Sequence, residues 1–167
     1  MPTVDELNRL PAGAVRRALR GCCSSGRWIE GVAARRPFAG SAALLAASDE
    51  AVAGLSEADL RDALAGHPRI GDARAQAANS LSGQEQAGVR DADAGLREAL
   101  DEGNAEYESR FGHIYLACAT GRSASELLAF LRERLGNDQE KEWGVVRSEL
   151  AKINQIRLRK LIDQARR

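Results

Sequence analysis

The sequence predicts an all-α protein, a single-domain bundle of about eight helices closed by a long C-terminal one. Three observations carry that reading. Only 4% of the 167 residues are aromatic, while alanine, the best helix former, recurs throughout. Hardly any stretch alternates apolar and polar residues with the period of two that a half-buried strand needs. And Thr3 with Glu6, Ser56 with Asp59, Ser82 with Glu85 and Ser123 with Glu126 each set a hydroxyl three residues before a carboxylate, the capping-box signature of a helix start.

Taken in order, the Thr3–Glu6 box opens a short helix with Leu7 and Leu10 inward. Pro11 sits in the first turn of a second helix that carries Val15 and Leu19, because its fixed φ suits that position. Gly21-Cys22-Cys23-Ser24-Ser25-Gly26 reads as a turn. Trp28, Ile29 and Val32 mark a third short helix, stopped at Arg36-Pro37 because proline disfavours helix in the residue before it. Segments 41–53 and 56–65 are two more helices, and Gly66 to Asp72 breaks the pattern. Ser82 opens a long helix to about Arg110, with a kink near Gly103. Phe111 to Thr120 is apolar and rich in β-formers; it suits either a buried extended segment or the start of a helix. Ser123 caps a helix with Leu127, Leu128, Phe130, Leu131 and Leu135 inward, ending at Gly136. Asp138 starts a final helix of about 28 residues. No repeat, low-complexity tract or linker interrupts the chain, so residues 1–167 read as one domain.

Composition excludes several classes. Lys plus Arg and Asp plus Glu each total 24, so the basic excess of a nucleic-acid binder is missing. The basic bias of the last helix suits the negative end of its dipole. With 44% hydrophobic and 29% charged residues the balance is that of a soluble globular domain. No apolar run approaches the roughly 18 residues of a membrane span, so no membrane partner is expected. The acidic, amphipathic first ten residues do not read as a secretory leader, and Gln164 to Arg167 form no organelle address. Cys22, Cys23 and Cys118 show no Cys-x-x-Cys spacing, which suits a reducing compartment; the expected location is the cytoplasm. The two histidines, far apart and without a carboxylate cluster, predict no metal site.

Three places could carry chemistry. His67, between Gly66 and Pro68 at the end of a helix, is placed as an acid or base, or is a loop histidine with no role. Ser82 and Glu85 satisfy a helix start by themselves, yet such a start also offers free N–H groups to an anion, and Glu85 a spare oxygen as acceptor or base. Arg157 lies within about 40° of Trp143, Val146, Leu150, Ile153 and Leu161 on the last helix, in the middle of its apolar seam. A charge there needs a partner: an ion pair, a snorkelling route to water, or a ligand carboxylate. His113 reads as a satisfied core histidine and Cys118 as an inert buried thiol. Thr120-Gly121-Arg122-Ser123 lacks the spacing of a phosphate loop.

Four segments together resemble one family. They are His67-Pro68-Arg69-Ile70-Gly71, Ser82-Gly83-Gln84-Glu85-Gln86-Ala87-Gly88, the run from Phe111-Gly112-His113-Ile114-Tyr115 through Cys118-Ala119, and Lys152-Ile153-Asn154-Gln155-Ile156-Arg157-Leu158. In this order over nearly the whole chain they resemble the OHCU decarboxylases (2-oxo-4-hydroxy-4-carboxy-5-ureidoimidazoline decarboxylases) of the urate-to-allantoin pathway. The resemblance implies an all-helical, cofactor-free carboxy-lyase, dimeric, acting on a small ureidoimidazoline. It implies His67 as catalytic acid/base with Glu85 beside it, and Pro68 positioning the histidine. It implies substrate contacts from Ser82, Gln86 and Arg157, and a pocket lined by the backbone of Leu116, Ala117, Cys118, Ala119 and Thr120. His113 departs from the family pattern, which often has an aromatic residue there. Trp28 and the alanine-rich surface are the candidates for a dimer contact. The rival readings are a helical module that binds a partner in a groove, a related lyase or hydrolase on the same scaffold, and, remotely, a zinc hydrolase.

Overall fold

A computed structural model describes residues 3–72, 81–90 and 92–163. Among them are ten helices and no strand, against the eight or so expected. They group into two compact units: residues up to Gly66 with those from Leu150 onward, and His67–Glu149.

The first unit contains α1 (Val4–Arg9), α2 (Ala12–Arg20), α3 (Gly26–Ala33), α4 (Ser41–Ala53) and α5 (Glu57–Ala65). It also holds the second half of α10 (Gln139–Asp163). The expected capping boxes of α1 and α5 are both complete. Pro11 stands at the N-cap of α2 rather than inside its first turn. Ser25, read as part of a turn, caps α3 by accepting the Trp28 N–H. At the other end of α1 the Arg36 guanidinium donates to the Leu7 and Leu10 carbonyls at 3.2 and 2.8 Å, capping the C-terminal end of the helix. Helix α3 packs on α2, α4 and α5. Leu19, Trp28, Ile29, Val32, Leu44 and Leu60 are fully buried, each such aliphatic side chain stabilising the fold by about 1.5–3 kcal/mol. The indole N–H of Trp28 donates to Ser48 Oγ at 3.2 Å. Trp28 is therefore core, and the idea that it serves a dimer contact is withdrawn.

The second unit contains α6 (Leu81–Glu85), α7 (Ala87–Arg90), α8 (Ala94–Phe111), α9 (Ala124–Arg134) and the first half of α10. Here the single long helix expected from Ser82 onward is divided. Ser82 lies inside α6, not at its N-cap, and Asp93 starts α8 afresh by accepting the Leu96 N–H. The cause is tertiary. At Gly88 a Cβ would stand 2.2 Å from the Arg122 carbonyl oxygen, so the chain passes another backbone where only glycine fits. Gly103, expected at a kink, lies within α8; its missing Cβ admits Leu131 of α9, whose methyl a Cβ would meet at 3.0 Å. Helix α8 ends at Gly112 in the left-handed region (φ +76°).

The core of this unit includes Leu100, Tyr107, Phe111, Tyr115, Leu127 and Leu131. Inside it lies a buried ion pair: Arg134 Nε donates to Glu142 Oε1 at 2.7 Å, with Tyr107 Oη and Asn137 Nδ2 donating to the same carboxylate. The Arg134 guanidinium also lies over the Tyr115 and Phe130 rings at 4.8 and 5.0 Å. His113 is buried and stacked on Trp143 with ring centroids 4.4 Å apart, a core histidine as expected. No helix among the described residues is long and apolar enough to cross a membrane.

Candidate active site

The second unit gathers most of the predicted site residues. The Gly-His-Pro break begins where α5 stops. Ser24 Oγ donates to the Asp62 carbonyl at 2.7 Å, and a Cβ on Gly66 would meet that hydroxyl at 2.4 Å, so the residue before His67 has to be small. His67 and Pro68 are half-buried. The loop beyond them is tied down at its far end. Asn104 of α8, 2% exposed, donates its amide to the Ile70 carbonyl at 3.0 Å. Gly71, in the left-handed region at φ +88°, donates its N–H to Gln86 Oε1 at 2.9 Å. Gln86 Nε2 reaches the Arg69 carbonyl at 3.5 Å, and Arg69 pairs with Glu108 of α8. Gln86, one residue after Glu85, is thus the strap between the His67 loop and the α6–α7 junction. Ser82 is half-buried and Glu85 is buried.

Residues 114–119 settle the choice left open above: the stretch is not helical. Tyr115, Ala117 and Ala119 pack into the core cluster of the unit and the intervening Leu116 and Cys118 do not, the period of an extended chain. Arg134 Nη1 donates to the Leu116 carbonyl at 2.5 Å, and the Cys118 N–H donates to Glu149 Oε1 at 3.3 Å. Burial pushes the Cys118 thiol up, Glu149 and Glu85 push it further, and a backbone hydrogen bond at Thr120 and the Arg122 charge pull it back. Glu85 therefore sits within electrostatic reach of the segment. Burial thus disfavours the reactive thiolate, in keeping with the reading of Cys118 as a buried thiol.

Arg157 belongs to the first unit. It is 7% exposed, and its Nη1 donates to the Cys22 carbonyl at 3.0 Å. Its charge is also felt by the neighbouring Cys23 thiol, which burial pushes up while a backbone bond at Ser25, the Asn154 side chain and Arg157 pull down. The partner demanded by its place on the apolar seam is in part a main-chain oxygen. No cluster of His, Cys, Asp and Glu suited to a metal ion occurs among the described residues.

Asn104, Arg134, Glu142 and Glu149 were missed by the sequence reading. Each lies on the apolar stripe of its helix, Asn104 between Leu100 and Tyr107 and Arg134 seven residues after Leu127. The reasoning applied to Arg157 would have found them.

The fold is the all-helical one of a solved OHCU decarboxylase. The model of the OHCU decarboxylase family matches residues 8–159, and the chain belongs to that family. It is 36% identical over 132 residues to the 2-oxo-4-hydroxy-4-carboxy-5-ureidoimidazoline decarboxylase of Amia calva, covering 77% of this chain and 75% of that protein. It is 30% identical over 148 residues to the uric acid degradation bifunctional protein TTL of Arabidopsis thaliana, covering 85% of this chain. The chain spans 45% of the length of that bifunctional protein. A crystal structure of an OHCU decarboxylase in the presence of (S)-allantoin superposes with a TM-score of 0.74 at 26% identity, over 86% of this chain and 96% of the other.

Proposed function

We propose that this chain decarboxylates 2-oxo-4-hydroxy-4-carboxy-5-ureidoimidazoline to (S)-allantoin in urate catabolism, without a cofactor. The observation that carries the reading is the family match across residues 8–159.

The substrate has its carboxylate and a hydroxyl on one ring carbon, next to a carbon–nitrogen double bond. When the carbon–carboxylate bond breaks, carbon dioxide leaves and the electron pair forms a ring carbon–carbon double bond, displacing the imine π electrons onto nitrogen, which takes up a proton. The product of this step is an enol. Its hydroxyl proton is then lost as a carbon is protonated, giving the ketone form. The substrate thus carries its own electron sink, and the protein is left with binding, orientation and proton transfer.

His67, with Glu85, moves the hydroxyl proton and delivers one to carbon from a single face, which sets the handedness of allantoin. Pro68 fixes the backbone at the histidine. Ser82 and Gln86 hydrogen-bond the substrate. Gln86 Oε1 is engaged by Gly71 and its Nε2 bond to Arg69 is long, so the amide N–H groups are the part it offers. The backbone of 116–120 lines the pocket. Arg157, a guanidinium oriented by a main-chain carbonyl, binds an anionic portion of the substrate. Residues 1–167 act as one domain, and the enzyme is a cytoplasmic homodimer; sedimentation at micromolar concentration tests the dimer.

The test generates substrate fresh from urate with urate oxidase and the downstream hydrolase, adds this protein, and follows circular dichroism. Rapid growth of the (S)-allantoin signal, slowed about 10²–10⁴-fold in His67→Ala, is expected. Slow racemic decay unchanged by the wild-type protein would overturn the reading.

A further inference from the structure

The 114–119 segment has two unlike edges. In extended backbone the N–H and C=O of one residue point to the same side, and those of the next residue to the other. The side bearing Leu116 and Cys118 is anchored by charged side chains from two helices, Arg134 on the Leu116 carbonyl and Glu149 on the Cys118 N–H. Both anchors are 1% exposed. On the other side, the N–H groups of Ala117 and Ala119 take no hydrogen bond among the described residues, although both alanines are buried. Buried amide donors of that kind are costly unless something pairs with them.

Glu149 is more than a structural ion pair. Its salt-bridge partner, Arg122 at 3.3 Å, is partly exposed, whereas the carboxylate itself is buried. A carboxylate buried to this degree is retained at a cost that its hydrogen bonds must offset. Together with Glu85 it also acts on the thiol of Cys118.

Resting on the decarboxylase reading, we propose that Glu149 is a positioning residue for substrate binding. By holding the Cys118 N–H it fixes the segment with the Ala117 and Ala119 N–H groups turned to the opposite edge. There they donate to the carbonyl oxygens of a planar ureide, much as a β-strand edge receives a neighbour.

The test compares Glu149→Ala, Glu149→Gln and Glu149→Asp with wild type. The readouts are kcat and KM on fresh substrate, calorimetric Kd for (S)-allantoin, and Tm. Glu149→Ala is expected to raise KM and the allantoin Kd about tenfold, the scale of one charge-assisted hydrogen bond, with kcat within about threefold. Glu149→Gln, whose amide oxygen takes the same N–H, recovers most of that loss. Glu149→Asp, with its carboxylate one methylene further back, behaves like the alanine variant, and it decides the matter if alanine fails to fold. A folded Ala or Asp variant that lowers Tm but leaves KM and Kd at wild-type values overturns the proposal. So does a Gln variant as impaired as Ala. Absence of turnover in the wild type would instead remove the decarboxylase reading itself.

Discussion

Two non-helical stretches of the second unit are held in opposite ways. The His67 loop is tied at its far end by neutral amides, Asn104 on Ile70 and Gln86 on Gly71, and by the solvent-accessible Arg69–Glu108 pair, while His67 and Pro68 at its near end are half-buried. The 114–119 segment is tied along one edge by charges that are almost completely buried. Neutral hydrogen bonds are worth about 0.5–1.5 kcal/mol net, whereas those to charged groups are worth about 1.5–3 kcal/mol. One stretch can shift a histidine at modest cost; the other is fixed as part of the core. The first arrangement suits the proton-transfer role proposed for His67, and the second the backbone recognition proposed for the segment.

The contrast is broken most severely at Arg134. Arg134→Met leaves Glu142 buried without its cation and the Leu116 carbonyl without its donor. A loss of about 3–5 kcal/mol in urea unfolding is expected. The double variant Arg134→Met/Glu142→Leu recovers part of it, because the uncompensated charge is gone; a double variant no better than the single one would refute the ion pair as the anchor. Next comes Gly88→Ala. Its Cβ would meet the Arg122 carbonyl, a backbone atom with nowhere to go, so about 1–3 kcal/mol is lost in the same assay.

Asn104→Ala addresses the other stretch. Removing the donor to the Ile70 carbonyl costs about 1–3 kcal/mol. The histidine beyond is misplaced, so kcat falls about ten- to hundredfold while KM changes less. Equal effects on KM and kcat would say that the two stretches are not separable in this way. The smallest effect is chemical. The Cys118 thiol is pushed up, so its reactive thiolate forms only at a higher pH than an ordinary cysteine's. Alkylation of Cys118 in the native protein at pH 8 is expected to be slow, to speed up in Arg134→Met, and to stay slow in Asn104→Ala. Mass spectrometry of the labelled peptide reads this directly.

How much of this was legible in the sequence follows from what is local. The starts of α1, α5 and α9 were readable because a capping box is made by residues three apart. The last helix was readable from Asp138, whose carboxylate accepts the Lys141 N–H. The division of the 82–110 helix was not, because its causes lie elsewhere in the chain: the Arg122 carbonyl against Gly88 and the Gly71 N–H on Gln86. Arg157 was visible as a charge on an apolar seam. Glu149 and Arg134 follow the same rule, but what they hold is a peptide group, which has no letter in the sequence.

The bond from Arg157 to the Cys22 carbonyl has a bearing on how such chains diverge. Any amino acid at position 22 supplies that oxygen, so another small side chain that fits the buried space of Cys22 can replace it while the guanidinium keeps its aim. What selection must preserve is the course of the turn between α2 and α3, not the identity of the residue. Relatives of this chain can therefore hold the same arginine in the same way with a different small residue at the position that holds it.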